Sequence, residues 1–350
     1  MLFGVLGDVS SVVFLPKFYT PSSALRRSAM RIVSLLPAAT EWVCAIGGAE
    51  CLVGRSHECD APSEIRDRPV VTVPTYESEG DSAAINEAVQ STVQEGLSLY
   101  DVDLERLRAL APDLVVTQDQ CDVCAVSRPE LEDRLAEWTD GSPTLFSMEP
   151  HTLKDILDEA LRLGRVMDRF EDAMQVVGTI EKRIQKLRDR IGVDRRTDPE
   201  TLPTVACIEW LEPLMAAGHW MPDMVEMAGG RAVLGSAGKP TQRISWASLR
   251  DADPDVIACM PCGFSVEETQ RDLHYLTERE GWDDLTAMQE GRVAVLDGDA
   301  YYNRPGARVG RAIEVLSSTI YPSLSMEEAP AAWERQWHSH DADHEAVVGS

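Results

Sequence analysis

Short apolar runs alternate with longer amphipathic segments along most of this chain, which is the pattern of alternating strands and helices. The first apolar run covers residues 31–36, and Pro37 then opens a helical segment that Gly47 and Gly48 end. Further strands are predicted at 51–54, 70–73, 114–117 and 144–146, and helices at 81–96, 104–110 and 128–138. This part of the chain therefore predicts a lobe of helices around a largely parallel sheet.

A long helical segment divides the chain in two. Periodicity predicts helices at 152–165 and 168–191, and the second of these would span about 36 Å. Such a helix is a stiff link that limits hinge motion. Beyond it, strands are predicted at 204–209, 256–260 and 292–296, and helices at 222–228, 266–278 and 305–320. The acidic segment 323–350, with His338, His340 and His344, predicts a disordered tail, and weak metal binding is the alternative.

The two halves repeat one another. Segment 107–116 reads Leu-Arg, three residues, Pro-Asp and three apolar residues, and segment 249–258 has the same pattern. Segment 45–54, with its Gly-Gly pair, is matched by segment 227–235. Two copies of this length predict an α/β fold: two Rossmann-like lobes with central, mostly parallel sheets, joined by a single long α-helix, with the ligand cleft between them.

The same patterns set the expected domain bounds. We expect an N-terminal extension at 1–29, a first lobe at 30–166, the interlobe helix at 167–193, a second lobe at 194–322 and the tail at 323–350. The extension is interpreted as a mis-assigned start or as a weak export signal, because Asp8 interrupts its apolar run and no basic residues precede it.

The net charge and the cysteine content limit which classes of partner and which cellular compartment we expect for this protein. The net charge of −26 excludes nucleic acid and anionic membrane surfaces as partners, and no apolar run is long enough for membrane insertion. An acidic surface is typical of solvation in a high-salt cytoplasm. Eight cysteines scattered over 350 residues indicate reduced thiols. We therefore expect a cytoplasmic monomer, with a periplasmic or other extracytoplasmic location as the alternative.

The segments after the predicted strands carry most of the reactive and aromatic side chains. Ligands of parallel sheets bind beyond the carboxyl ends of the strands, so these segments are expected to line one cleft. Its aromatic members favour a large, planar, partly apolar ligand. The expected lining residues are Pro37, Ala38, Arg55, Ser56, His57, Gln118, Gln120, Trp210, His219, Trp220, Phe264, Tyr301, Tyr302 and Asn303.

Thiols and imidazoles in these segments suggest a second chemistry. The candidate ligands for zinc, iron or another thiophilic metal are His57, Cys59, Cys121, Cys124, His219 and Cys262. Cys121 and Cys124 alternatively form a redox pair, or several of these cysteines are small buried hydrophobes. Cys44, Cys207 and Cys259 lie in apolar runs and are predicted to be core residues. The sequence has no G-x-S-x-G elbow, no P-loop and no H-E-x-x-H motif.

Several motifs resemble those of a known family when taken in order. These are the segment 34–41 (SLLPAATE), 53–56 (VGRS), 60–62 (DAP), 104–115 and 298–301 (GDAY). Together they resemble the cobalamin- and iron-siderophore-binding proteins of ABC importers, which have the class III periplasmic-binding-protein fold, and in particular their vitamin B12-binding branch. The likeness covers residues 31–322. The thiols and the insertion at 77–96 depart from the family pattern.

The resemblance implies two lobes joined by one long helix, with a corrinoid or another metal chelate held between them. By position it adds Tyr100 to the lining residues, beside the Pro37, Arg55–His57, Gly218–Trp220 and Tyr301–Tyr302 turns. The position of His219 in a predicted cleft loop makes it a candidate ligand of a corrinoid cobalt. An ABC permease is the implied partner besides the small-molecule ligand.

Two functions of different classes follow from the sequence. The first is a solute-binding-type protein, rather than an enzyme, that binds cobalamin or a related corrinoid or metal chelate for uptake or intracellular delivery. The alternative is a zinc-, iron- or thiol-dependent enzyme or redox protein that uses the cleft cysteines and histidines on the same fold.

Overall fold

The computed structural model describes residues 30–76, 80–94, 99–118, 128–135, 142–194, 196–323 and 347–348. Outside these ranges lie the predicted extension 1–29, most of the predicted tail, and the predicted site residues Gln120, Cys121 and Cys124. Within the described residues, no helix is both long enough and apolar enough to cross a membrane.

The first lobe is built on a parallel sheet of four strands, which are β1 (Ile32–Ser34), β2 (Leu52–Arg55), β5 (Leu114–Gln118) and β6 (Thr144–Met148). They lie in the order β2-β1-β5-β6. A separate antiparallel pair consists of β3 (Thr72–Pro74) and β4 (Tyr100–Val102). The lobe's helices are α1 (Pro37–Ala45), α2 (Ser82–Gln94), α3 (Leu104–Ala109), α4 (Arg128–Leu135) and α5 (Leu153–Val166).

The long link between the lobes is α6 (Phe170–Ile191), which ends at Gly192 in a left-handed conformation. This confirms the predicted interlobe helix. Its buried side chains, which include Ile180 and Ile184, belong to one apolar cluster that also contains core residues of both lobes. The helix is therefore packed into a shared core instead of crossing solvent, and this packing ties the lobes together.

The second lobe repeats the first. Its strands are β7 (Thr204–Trp210), β8 (Met215–Ala216), β9 (Arg231–Val233), β10 (Gln242–Arg243), β11 (Val256–Cys259), β12 (Val293–Val295) and β13 (Val347–Val348). Its helices are α7 (Met221–Met227), α8 (Trp246–Ala252), α9 (Val266–Asp272), α10 (His274–Thr277), α11 (Thr286–Gln289) and α12 (Val309–Ile320). The parallel order β9-β7-β11-β12 corresponds to β2-β1-β5-β6, while β8, β10 and β13 add antiparallel edges.

The sequence repeat has an equivalent structural role in each lobe. The Asp113 carboxylate accepts a hydrogen bond from the Arg31 amide at 2.8 Å, at the start of β1. The Asp255 carboxylate accepts one from the Thr204 amide at 2.7 Å, at the start of β7. In each lobe the repeated Asp directly precedes one central strand, β5 or β11. Its side chain hydrogen-bonds the backbone at the start of the neighbouring strand, β1 or β7. The predicted α/β fold of two related lobes is confirmed.

Each central strand buries both faces, as expected for a parallel sheet covered by helices on both sides. In β11, Val256 and Ala258 face the shared core, whereas Ile257 and Cys259 face an outer cluster with Leu249. Cys207 and Cys259 are buried, which confirms their predicted core positions, and Cys44 is half-buried against the same core.

Some element bounds differ from the sequence prediction. The predicted helix 266–278 is two helices, α9 and α10, separated at Leu273. The last helix begins at Val309, four residues after Pro305. The predicted strand 70–73 is displaced, because only Val70 bridges the main sheet while β3 pairs with β4. Residues 347–348 of the predicted disordered tail pair with β12 as β13.

Candidate ligand-binding site

The loops that follow the strands of the two lobes contact one another, and Arg304 is at the centre of this contact. Its guanidinium donates to Asp60 of the first lobe at 2.5 Å and to Asp299 of the second lobe at 2.7 Å. Burial alone would lower the pKa of Arg304, but Asp299 and Asp60 raise it. Burial by itself would raise the pKa of Asp60. The Arg304 charge lowers this pKa by more, so the pKa of Asp60 is below its usual value. The charged forms of both groups are thereby favoured.

A second ion pair lies deeper between the lobes. Arg308 donates to one oxygen of Glu41 through two nitrogens, at 3.1 and 2.6 Å, and both side chains are almost fully buried. Burial raises the pKa of Glu41, and Arg308 opposes that rise. The Trp42 indole donates to the Pro305 carbonyl at 3.0 Å in the same contact. This pair and the indole hold α1 against the loop before α12.

The first lobe contributes an aromatic and acidic wall formed by His57, Glu58, Tyr76 and Tyr100. The Tyr100 hydroxyl donates to Glu58 at 2.9 Å, and its ring lies 5.4 Å from His57 and 6.3 Å from Tyr76. Burial raises the pKa of Glu58 and, together with the nearby Glu58 charge, that of Tyr100. We call these four residues the first wall.

His57 is held by Thr72 at the start of β3. Its backbone amide donates to Thr72 Oγ1 at 3.0 Å, and its Nδ1 lies 2.7 Å from the same oxygen. Burial lowers the pKa of His57, and the Arg55 charge lowers it further. The ring is therefore neutral at pH 7, which is the form able to coordinate a metal or to accept a hydrogen bond.

The second lobe contributes Trp210 and Phe264, whose rings meet edge-on at 5.3 Å. We call this pair the second wall. The Phe264 carbonyl accepts a hydrogen bond from the Asp299 amide at 3.1 Å, so the second wall adjoins the Arg304 contact. The Arg304 guanidinium also reaches the Glu58 carbonyl at 3.5 Å, which connects it to the first wall.

Helix α2 of the insertion bridges the two lobes. The Ser82 carbonyl accepts a hydrogen bond from the Trp210 indole at 3.1 Å, and the Ser82 amide donates to Asp272 at 2.6 Å. The Tyr275 hydroxyl donates to Asp81 at 2.9 Å. Val89 of α2 packs against the same apolar cluster as Tyr76 and Tyr100, so this helix joins the first wall's cluster to the second wall.

A separate interlobe contact joins His151, after β6, to His219, in the loop before α7. Their Nδ1 atoms are 3.5 Å apart and their rings are stacked at 5.6 Å. Burial lowers the pKa of His219, and His151 lowers it further. His219 has a φ of +48°, and its ring lies 5.8 Å from that of Trp220.

Some predicted site residues are structural supports. Cys59 is fully buried, accepts a hydrogen bond from Thr40 at 3.0 Å, and has a pKa raised by burial to about 11. Cys59 therefore packs in the core, and among the described residues it belongs to no group of three or more potential metal ligands. Tyr302 is 1% exposed and donates to the Ala312 carbonyl, and Ala38 is 2% exposed within α1. Tyr302 and Ala38 thus pack in the apolar core that the two lobes share, and their place in a ligand cleft stays a prediction.

Other predicted residues shape the loops. Arg55 donates to the carbonyls of Ser56, Cys59 and Arg66, and Asn303 donates to those of Met260 and Gly298. The remaining positions are Pro37 at the start of α1, the buried Ser56, Gln118 and Tyr301, the half-buried Cys262, and Trp220, which donates to the Tyr302 carbonyl. Among the described residues, no group of three or more potential metal ligands occurs.

Sequence reasoning missed the charged centre of the contact. Arg304, Asp60 and Asp299 lie in the predicted strand-end segments, but nothing local distinguishes them from other surface charges. Tyr76 was missed because it follows β3, a strand outside the main sheet. His151 was missed because it directly precedes Thr152, the N-cap of α5 in a capping box with Asp155, and nothing local marks it as a site residue.

Comparison with known proteins places this chain among binding proteins. A vitamin B12-binding protein of Vibrio cholerae is 24% identical over 301 residues, which is 85% of this chain and 91% of that protein. An ABC transporter substrate-binding lipoprotein of Bacillus subtilis is 19% identical over 320 residues, covering 87% of this chain and 83% of that protein.

Solved structures share the fold. A possible iron-binding periplasmic protein of Staphylococcus epidermidis has a TM-score of 0.61 at 21% identity, covering 83% of this chain and 98% of that one. The periplasmic vitamin B12-binding protein of Vibrio cholerae has a TM-score of 0.59 at 20% identity, covering 83% and 96%. The family model described as "Periplasmic binding protein" matches residues 32–300. Because this match spans most of the chain, the protein belongs to the periplasmic binding protein family.

Proposed function

We propose that this protein is a solute-binding protein that holds cobalamin or a related corrinoid between its lobes. The observation that carries the proposal is the pair of aromatic walls on opposite lobes, with Arg304 between them. This is where parallel sheets bind ligands, beyond the carboxyl ends of their strands. The vitamin B12-binding protein of Vibrio cholerae, which aligns over nearly its whole length, supports the choice of ligand class.

The chemistry of the walls suits a large flat ligand with polar edges. The rings of Tyr76, Tyr100, Trp210 and Phe264 offer apolar area at low conformational cost. The carboxylate of Glu58 and the charges around Arg304 provide acceptors and donors for amide groups at the ligand's edge. In this proposal His57 and His219 are the candidate imidazole ligands of the cobalt, since burial lowers the pKa of both.

The alternative of a metal- or thiol-dependent enzyme gains no support. Cys59 is buried, burial raises its pKa to about 11, and the described residues contain no group of three potential metal ligands. Cys121 and Cys124 lie outside the described residues. The similar proteins are binding proteins by name.

We propose that the protein works outside the cytoplasm and passes its ligand to an ABC permease. The names of the similar proteins, which include periplasmic proteins and a substrate-binding lipoprotein, support this location over the cytoplasmic expectation. A monomeric state stays a prediction.

The test is an absorbance titration of the purified protein with hydroxocobalamin, followed by calorimetry. We expect saturable binding at one site, with a shift of the corrin bands where an imidazole replaces the axial water. Haemin and a ferric siderophore are titrated in parallel. Saturable binding of one of these, with none of hydroxocobalamin, would replace the proposed ligand.

A matched pair of tryptophan variants locates the site. Trp210→Ala removes half of the second wall, and we expect it to weaken corrinoid binding by at least about tenfold. Trp246→Ala is the control, because Trp246 stacks on Trp282 at 6.2 Å, apart from both walls. Equal weakening by both variants would contradict a site at the walls.

A further inference from the structure

The two histidines His151 and His219 come from different lobes, yet their ring nitrogens are close. Their Nδ1 atoms lie 3.5 Å apart, which is long for a hydrogen bond between nitrogens. The ring centroids are 5.6 Å apart, so the two Nδ1 atoms face one another between the rings. At 3.5 Å a hydrogen bond between these nitrogens is weak.

The same separation suits a shared metal ion. Two imidazole nitrogens, each about 2.05 Å from a tetrahedral cation, lie about 3.3–3.4 Å apart. Two trans ligands, as on the two faces of a haem iron, would lie about 4.1 Å apart. The observed 3.5 Å matches the first arrangement.

The loop around His219 is built rigidly. Its amide donates to the Lys239 carbonyl at 2.5 Å, and its carbonyl accepts from the Gly238 amide at 2.9 Å. Gly218 fits there because a Cβ would lie 2.3 Å from the Lys239 carbonyl oxygen. His219 itself has a left-handed backbone, a conformation that is uncommon outside glycine and concentrated at functional sites.

Two carboxylates lie beside the turn that carries His151. Asp155 accepts hydrogen bonds from the amides of His151 and Thr152, at 3.1 and 2.9 Å. Asp223 accepts one from the Leu153 amide at 3.0 Å, across the lobe boundary. The two carboxylates flank the His151 turn, and His151 is exposed, so a hydrated ion has access to the pair.

We propose that His151 and His219 form a two-imidazole site for a first-row divalent cation and that the bound ion links the two lobes. Zinc is the cation used to test this. Imidazole is a preferred ligand of Zn²⁺, Ni²⁺ and Cu²⁺. The remaining coordination positions are open to water. The pair includes none of the residues of the two walls, but His219 is also a candidate cobalt ligand in the proposed corrinoid function, so the zinc site is tested without corrinoid.

The test is calorimetric titration of the full-length protein with zinc chloride, without corrinoid. Wild type is compared with His151→Asn, His219→Asn and the control His274→Asn, which changes an exposed histidine of the second lobe. Asparagine is chosen because it tolerates the left-handed conformation of residue 219. Because His338, His340, His344 and the thiols also bind zinc, the titrations are read as differences between variants.

We expect each site variant to lose the same single equivalent, or to bind it at least about tenfold more weakly, and the control to keep it. Melting curves without metal establish that the variants are folded. Zinc should raise the melting temperature of wild type, and of the control, more than that of either site variant. Identical titrations for all four proteins would overturn the proposal. A loss in His219→Asn alone would overturn the two-imidazole site as well.

A second measurement is local to the pair. The Trp220 ring lies 5.8 Å from that of His219, so Cu²⁺ bound at the pair should quench the Trp220 emission. We expect Trp220→Phe to lose this quenching. In His151→Asn we expect half-maximal quenching to need at least about tenfold more copper. Unchanged quenching in His151→Asn would show that this histidine is not a ligand.

Discussion

Arg308 and Glu41 form a buried ion pair across the lobe boundary, with two guanidinium nitrogens on one carboxylate oxygen at 3.1 and 2.6 Å. Their side chains are 7% and 1% exposed. A pair of this kind contributes little net stability relative to apolar residues, but its disruption leaves a buried charge without compensation. It therefore makes the relative position of α1 and α12 specific.

We predict that Glu41→Ala lowers the free energy of unfolding by about 3–5 kcal/mol, because Arg308 loses its carboxylate. Urea unfolding followed by circular dichroism measures this. The control is Asp101→Ala, which breaks the pair with Arg134 at 3.0 Å, where Asp101 is 57% exposed. That change should cost no more than about 1 kcal/mol. A similar loss of unfolding free energy in both variants would show that breaking the buried pair destabilises the protein no more than breaking an exposed one.

Gly306 lies against the same pair, and we predict that Gly306→Ala is destabilising. An added Cβ would lie 2.1 Å from Glu41 Oε2, so the ion pair would have to shift, at a cost of about 1–3 kcal/mol. Gly178→Ala in α6 is the matched control, since nothing lies within 4 Å of its added Cβ. Its helix should gain up to about 1 kcal/mol. Thermal melts compare the two, and equal shifts would contradict the packing at Gly306.

The hydrogen bonds that hold α2 on the second lobe should control its opening. We predict that Asp272→Ala raises hydrogen exchange in the first turn of α2 by about tenfold or more, because the Ser82 amide loses a charged acceptor at 2.6 Å. Mass spectrometry of peptides from 81–94 measures this. Glu267→Ala, an exposed change on the same helix α9, is the control. Unchanged exchange in Asp272→Ala would mean that α2 is held by other contacts.

If corrinoid binds at the walls, the same Asp272→Ala variant should release it faster than wild type. Helix α2 connects the first wall to Trp210, so its opening exposes one side of the site. Stopped-flow displacement measures the dissociation rate. A normal dissociation rate together with raised exchange in α2 would separate the mobility of this helix from ligand release.

His219 should make the protein less stable in acid. Its folded-state pKa is lowered from 6.5, so the native state prefers the neutral ring. The associated stability is present above pH 6.5 and is lost as the pH falls through the lowered folded-state pKa. We predict that the difference in unfolding free energy between wild type and His219→Asn shrinks from pH 7.5 to pH 5.5 in metal-free buffer. A difference independent of pH would contradict this.

Local signals predicted the elements well. The Pro37 start of α1, the Gly47 stop, and the repeated Pro-Asp before β5 and β11 all depend on residues close in sequence. Short-range sterics and capping determine these features, so a single sequence carries them. The break at Leu273 was missed, since the apolar period continues through it.

The candidate site was predicted less well, because its geometry joins residues far apart in the chain. His57 and Cys59 are two residues apart in one loop, but His57 belongs to the first wall and Cys59 to the core. Only the packing of the loop after β2 separates them. The charged centre joins Asp60 to Arg304, and nothing in either segment points to the other.

The two-lobed α/β fold, its internal repeat and its family could be predicted from the amino-acid sequence, because periodicity, turn residues and ordered motifs are local properties of the chain. Which strand-end side chains meet across the lobes could not be predicted in this way. The His151–His219 contact, the Arg304 contact and the α2 bridge all depend on how two lobes pack around α6. That packing is a sum of many small apolar contacts between distant residues, and no single segment encodes it.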